Sequence, residues 1–562
     1  MKLDLKLLNY IFTVITIIIV LIFIIIALKK PKNLGTKPKE SSFKLKMQKF
    51  FNSRQFKVGA IIIVIFLAVF TRFYKITTIL NGLHVDEAGM AYDAFTLANY
   101  GVDRYLNSFP VYMINFGGGQ SALYTYLAAL VVKVVGLNVL AIRLPGILLS
   151  LLAIVFGFIA IRKSHGFKWG LLFAILMIIC PWHVMQSRFG LDCNLLSSLL
   201  TIAISALYLS KKWWHYLITG ILFGLTLYTY ALAYLIVPIF LFLSLLYLLY
   251  IRKINFKNIL ILGIPLFLLA LPLILMLLVN MGYLEQINVF NITIPKLFSY
   301  RGGEINFNNI FGNLLQAKNV FIADGLVYNS LHEVGTIYIF ALPLTLLGLI
   351  ITIKETYQSL KEKKLNLSVF FLFLFIANLI LMALTPLNVN RANSIYIALL
   401  YFVFMAIKYL YYKFKTGFWI VIILYLVMAL AFFNFYYYDY NNVYKDIPFV
   451  GKDTVEVLKY ALDKKEDQDL YLHLDVHQPW IYILYANEES PYDFNASKKE
   501  EEVENYNNLY TYANYHLSLP DEVVEDAFYV IRPDETTKEF EKELEESDFT
   551  KEEYQGHLLF YK

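Results

Sequence analysis

Long apolar runs recur along this chain at the spacing of a helical bundle in a membrane. About 20 consecutive apolar residues cross a bilayer as a helix. The first run, Leu8 to Leu28, is longer than a signal-peptide core and ends in Lys29-Lys30 instead of a small-residue cleavage site, so it reads as a retained span. Val58 to Phe73 forms the next. Further spans are expected at about 140–161, 169–186, 192–210, 214–234, 235–251, 258–280, 336–353, 367–387, 394–412 and 417–437. The pattern predicts eleven core spans behind one extra N-terminal span.

Ser121 to Gly136 is apolar but short and carries Lys133. Charge decides whether it crosses. If it does not, the cytoplasmic connections carry Arg162-Lys163-Lys168, Lys211-Lys212, Arg252-Lys253-Lys257, Lys354-Lys361-Lys363-Lys364 and Lys413-Lys415. All five are basic, as short cytoplasmic loops are. If it crossed, all five would face outward. An interfacial or re-entrant helix is therefore expected there. Lys29 to Lys57, with ten Lys/Arg against the single acid Glu40, is a cytoplasmic linker. Its interleaved Phe43, Met47, Phe50 and Phe51 suit the anionic inner leaflet.

From about Tyr440 the chain becomes acidic and soluble in character. DLYLHLDV, AFYVIRP and HLLFY read as strands; the run around Thr454 to Leu462 and TTKEFEKELEES read as helices. The division is then 1–56 for the extra span and linker, 57–440 for an all-α polytopic membrane domain, and 441–562 for a small α/β domain. Span parity puts that last domain outside the cell. Asn495-Ala496-Ser497 matches a common glycosylation acceptor tripeptide.

Composition agrees: 58% of residues are hydrophobic and 16% charged, against roughly 45–50% and a quarter in soluble domains. The net charge of +6 is clustered between apolar runs and is no nucleic-acid footprint. Cys180 and Cys193 lie in or beside apolar segments without metal-ligand spacing and read as packing residues. They leave the redox compartment undetermined.

The candidate chemistry starts at His84-Val85-Asp86-Glu87, directly after a span. Ala91, Tyr92, Phe95 and Ala98 recur at helical steps, with Gly101 just past the end, so a helix is expected over Ala88 to Asn99. Asp86 would lie near its N-terminus, where the macrodipole favours an ionised carboxylate. That suits a general base, a reading favoured over the alternative in which the acidic pair merely caps the helix. The same outer face gathers Arg188 and Asp192 in SRFGLDCN, Tyr228 and Tyr230 at a span end, Arg301 in the 281–335 loop, and Arg391 in LNVNRAN. Carboxylates and arginines converging at one face are what a reaction on a phosphate-bearing lipid needs. A base takes the acceptor proton, contributing about 10²–10⁴-fold. Guanidinium groups hold the departing phosphate by paired charge-assisted hydrogen bonds.

HVDEAGMAYDAFTLANYGVDRYLNSFPVY, AIRLPGILLSLLAI and PWHVMQSRFGLDCN resemble segments of the GT-C class of integral-membrane glycosyltransferases, of the protein O-mannosyltransferase and aminoarabinose-transferase type (families 39 and 83). The resemblance covers about residues 57–210. Beyond that it is topological apart from YTYALAY and VNRAN, and it does not reach the C-terminal domain. It implies a GT-C fold and transfer of a monosaccharide from a polyprenyl-phosphate donor to a protein, lipid or wall-polymer acceptor at the extracytoplasmic face, with inversion. On the matching positions it implies Asp86 as general base, Glu87 as its orienting neighbour, Asp192 as the second acid and Arg143 as the Arg-Leu-Pro arginine. His84, Arg188, Tyr228, Tyr230, Arg301 and Arg391 complete the residues expected to bind donor phosphate or substrate. No Asp-x-Asp pair stands in the outer loops of the membrane domain, which fits a donor delivered through lipid. Related enzymes differ on metal dependence, and no His/Asp/Glu cluster requires a metal, so a divalent ion stays open. The rival from another class, a flippase or transporter of lipid-linked sugars, predicts inverted repeats, broken spans in matching halves and midplane charges.

Overall fold

The computed structural model describes residues 4–28, 53–299, 309–316, 318–322, 325–444, 447, 450–503 and 506–562. The basic 29–52 stretch and Arg301 lie outside them. Helices stand at all twelve places where spans are expected. Among the described residues, nine are long and apolar enough to cross a membrane. A tenth results if Phe167–Ile179 and Pro181–Ser187, bent by 64°, form one span. Pro181 opens the second piece, and a proline cannot continue the hydrogen-bond ladder of the first. The two remaining expected spans fall outside that set. Trp213–Leu227 has only 15 residues, and Tyr396–Lys413 carries Lys408 and Lys413 within 18. The chain is a multi-pass membrane protein.

Ala122–Val135 is a separate helix of 14 residues. At 1.5 Å per residue it spans about 21 Å, short of the roughly 30 Å hydrocarbon layer. The N-terminal helix, Leu5–Leu28, is seated on the bundle by Asn9, whose Nδ2 donates to the carbonyls of Glu333 and Val334, both at 3.0 Å. Residues 333–334 follow Tyr328, whose ring packs on His84 beside Asp86.

The C-terminal domain is built on a seven-stranded mixed sheet. Across it run 550–554, 557–561, 527–531, 469–473, 515–516, 506–512 and 499–503. The central strands Ala527–Ile531 and Asp469–His473 pair in parallel, Tyr529 opposite Tyr471. Buried on both faces, AFYVI is fully apolar or aromatic, as a central parallel strand should be. Helices Thr454–Lys464 and Lys538–Glu546 match the expected ones. Strands 499–503, 506–512 and 550–554 and the buried helix Pro479–Asn487 were not expected.

This domain docks on the segment that carries Asp86. Leu83 and His84 pair antiparallel with Gly451 and Val450. Tyr482 Oη donates to Leu83 O at 3.0 Å, and Tyr92 Oη donates to Glu489 O at 2.9 Å. Gly82, at φ +117°, permits this contact: a Cβ there would stand 2.2 Å from Gly451 O. The glycosylation tripeptide is used at the same junction. Asn495 Nδ2 donates to Arg104 O at 2.8 Å and Pro491 O at 2.6 Å, so its amide is turned into the fold.

Candidate active site

The site is built on helix Val85–Tyr100. It starts three residues earlier than the apolar periodicity indicates and ends on Gly101 at φ +74°, a left-handed cap. The N-cap is His84. Its Nδ1 accepts the Asp86 N–H at 3.1 Å, so in this arrangement the ring is neutral and any ring proton sits on Nε2. Burial lowers the His84 pKa, against the opposing pull of the Asp86 and Glu87 charges. The ring packs edge-on against Phe189 and Tyr328. Because His84 caps the helix, neither carboxylate is needed for capping.

Glu87 and Arg143 bind one another. Both are fully buried, with Nε–Oε1 at 2.8 Å and Nη2–Oε2 at 3.0 Å. Glu87 Oε1 also accepts the Gly190 N–H at 2.9 Å. The rest of the Arg143 guanidinium serves the turn after span Arg54–Phe73, donating to the carbonyls of Ile76 (2.7 Å), Ile79 (3.0 Å) and Gly82 (3.2 Å). Arg188 does the same one turn earlier, bonding the carbonyls of Thr71 (3.4 Å), Arg72 (2.7 Å) and Lys75 (3.1 Å). Its guanidinium also lies over the rings of Tyr436 and Tyr437. A helix end leaves carbonyls without partners, and here a buried one is satisfied by two arginines. Expected as substrate ligands, Arg143 and Arg188 are instead buried on the carbonyls of the helix end and turns of 71–82 that lead to Asp86.

Asp86 differs from these. Its side chain is 34% exposed. Oδ1 accepts Asn115 Nδ2 at 2.8 Å. Asn115 Oδ1 in turn accepts from Arg104 Nη2 at 3.3 Å, and Arg104 is forked onto buried Asp93 at 2.9 and 2.8 Å. Arginine only donates, so the Asn115 amide must turn its oxygen to Arg104 and its nitrogen to Asp86. No hydrogen bond to Oδ2 is formed among the described residues; His84 Nδ1 stands 3.7 Å from it.

Asp192 is linked to the Asp86 site through the hairpin: it bonds Ser121, whose strand pairs with Tyr112–Asn115, and Asn115 bonds Asp86. Asp192 is buried, accepting the Ser121 N–H at 3.0 Å on Oδ2 and the Cys193 N–H at 2.7 Å on Oδ1. Asparagines tie its segment to two further turns. Asn329 Nδ2 donates to Asn194 Oδ1 at 3.0 Å and to Asn390 Oδ1 at 2.7 Å, and Asn393 Nδ2 donates to Cys193 O at 2.8 Å. Arg391 follows Asn390 and is half-buried, with Nη1 donating to Pro386 O at 3.0 Å. The structure thus brings Asp86, Asp192 and the Asn390-Arg391 turn to one end of the bundle.

Tyr228 is turned elsewhere: its hydroxyl bonds Leu269 O at 2.8 Å, on a neighbouring span. Tyr230 is half-buried against the apolar core. Asn115, Asn329 and Tyr328 were not expected, because an asparagine or tyrosine in a loop carries no spacing signal. Among the described residues, no group of three or more His, Cys, Asp or Glu is placed to hold a metal ion.

The overall fold is similar to that of a solved structure. ArnT from Cupriavidus metallidurans, bound to undecaprenyl phosphate, superposes with a TM-score of 0.52 at 11% identity, covering 90% of this chain and 98% of that one. The chain has the GT-C fold. The oligosaccharyltransferase AglB from Archaeoglobus fulgidus, in complex with an inhibitory peptide and a dolichol-phosphate, matches with a TM-score of 0.46 at 12% identity, over 78% of this chain and 64% of that one. The assignment of the GT-C fold rests on the first comparison. No family model and no curated protein matches the sequence.

Proposed function

We propose that this protein is a membrane glycosyltransferase that moves a monosaccharide from a polyprenyl-phosphate carrier to an acceptor hydroxyl at the extracytoplasmic face. The observation that supports this best is an open carboxylate oxygen, Asp86 Oδ2, on a helix N-terminus at one end of a GT-C bundle. In the reaction the acceptor oxygen attacks the anomeric carbon. The bond from that carbon to the phosphate oxygen breaks, its electron pair stays on the phosphate, and the acceptor proton goes to Asp86. Attack opposite the leaving group inverts the anomeric centre.

Each remaining residue acts on that step. Asn115 orients the base. Asp192, held by two backbone N–H groups, fixes the Ser121 and Cys193 segments around the reacting atoms. Arg391 meets the charge that develops on the phosphate, where a guanidinium contributes a few kcal/mol of transition-state stabilisation. Glu87 and Arg143 act at a distance, by positioning.

The test is incubation of the purified protein with a panel of polyprenyl-phosphate sugars, following release of free polyprenyl phosphate. Release with at least one donor is expected, with Arg391→Ala raising the KM for that donor or lowering kcat. No release with any donor, or an Arg391→Ala variant with wild-type kinetics, contradicts the respective assignment.

A further inference from the structure

A polar groove opens beside the site, between the loop 106–108 and the hairpin formed by Ile287–Val289 and Ile292–Ile294. It encloses about 470 Å³ and is lined by Asn107, Ser108, Gln286, Asn288, Phe290 and Thr293, among others. Among the described residues, none of those lining it is charged. Its walls are tied together. Val111 N donates to Thr293 O and Thr293 N to Ser108 O, both at 2.9 Å. Asp103 accepts both the Asn107 N–H (2.9 Å) and its side-chain amide (3.0 Å).

The hairpin tip is unusual. Its two-residue turn places Phe290 at φ +49° and Asn291 at φ +60°. Such a turn favours Asn-Gly, and a bulky residue in the left-handed region costs about 1–2 kcal/mol. Here that position holds a phenylalanine that is 95% exposed. A strained backbone presenting an uncovered aromatic ring, beside several carboxamides and hydroxyls, has the chemistry that receives a sugar: an apolar face to stack on and a fan of neutral donors and acceptors for hydroxyl groups. Among the described lining residues a phosphate or carboxylate would find no cation.

We propose that this groove binds a neutral saccharide belonging to the acceptor. This deepens the glycosyltransferase reading and rests on it for the word acceptor. The strand Tyr112–Asn115 leads from the groove wall to Asn115, the residue that bonds Asp86. At 3.3 Å per residue that strand is about 10 Å long. The groove therefore receives a part of the acceptor beyond the sugar ring that carries the reacting hydroxyl.

Direct binding separates this from catalysis. Saturation-transfer NMR on the full-length protein in nanodiscs, against methyl glycosides and short oligosaccharides of glucose, mannose, galactose and N-acetylglucosamine, should give a signal for at least one probe. Phe290→Ala with Asn288→Ala should weaken that signal at least tenfold, while Asp86→Asn leaves it unchanged. In a transfer assay the double variant should raise acceptor KM and leave donor KM and kcat alone. No signal from any probe, or a signal unaffected by the double variant, overturns the proposal. So does a Phe290→Trp reporter quenched by brominated lipid and indifferent to saccharide, which would assign the hairpin to the lipid surface. Saccharide binding without transfer from any polyprenyl-phosphate sugar would sink the catalytic reading alone.

Discussion

Glu87→Gln isolates the lock that aims the base. The side chain keeps its shape, and one oxygen can still accept from Gly190 N–H or Arg143. The new amide nitrogen then faces an Arg143 nitrogen, donor against donor, and a fully buried guanidinium loses its counter-charge. Removing one partner of a buried pair costs about 3–5 kcal/mol. The three carbonyls that Arg143 keeps, at Ile76, Ile79 and Gly82, place Glu87→Gln near the lower end, about 3 kcal/mol. Arg143→Met should cost more, because Glu87 then retains a single N–H partner. The pair shares one interaction, so Glu87→Met with Arg143→Met should destabilise less than the two single changes added together. Thermal unfolding in detergent, read at one scan rate for all variants, gives the order of the four proteins. Additive losses, or a Glu87→Gln protein as stable as wild type, would refute the lock. A fully stable Glu87→Gln protein without transferase activity would move the base from Asp86 to Glu87.

Two further outcomes follow from the same contacts. Burial, helped by the Asp93 charge, pushes the Asp103 carboxyl up to about 7, against hydrogen bonds from Asn107 and Tyr105. Its folded pKa lies above the unfolded one, so the fold loses stability as pH rises from about 4 to 7. Asp103→Asn should flatten the dependence of unfolding temperature on pH between 5 and 7.5; parallel curves for the two proteins would contradict this. Tyr482→Phe removes the hydrogen bond to Leu83 O and should weaken domain docking by about 1 kcal/mol. Faster proteolytic release of the C-terminal domain is the readout, and an unchanged rate would place the docking energy elsewhere.

Which parts of this were legible in advance follows from what sequence patterns encode. Hydropathy and loop charge locate spans because a bilayer imposes one length and one charge asymmetry on every helix. They also keep Ala122–Val135 out of the count. Acidic residues after a span stand out for the same reason. The partners of arginines do not. Arg143 and Arg188 sit at the expected end of the bundle, but their nearest acceptors are backbone carbonyls between residues 71 and 82, and a carbonyl has no sequence signature. Asn115 was equally hidden, since only the fold brings it to Asp86. In the C-terminal domain the buried central strands announce themselves by apolar runs. The polar edge strands 499–503 and 550–554 alternate too weakly to be told from loop.

The central claim is that Asp86 takes the acceptor proton. Asp86→Asn keeps size and leaves an oxygen for Asn115 Nδ2, so insertion and unfolding temperature should match wild type. Release of polyprenyl phosphate from the accepted donor should fall by about 10²–10⁴-fold in kcat, with donor KM little changed. A normally inserted Asp86→Asn protein that releases polyprenyl phosphate at the wild-type rate would contradict the account.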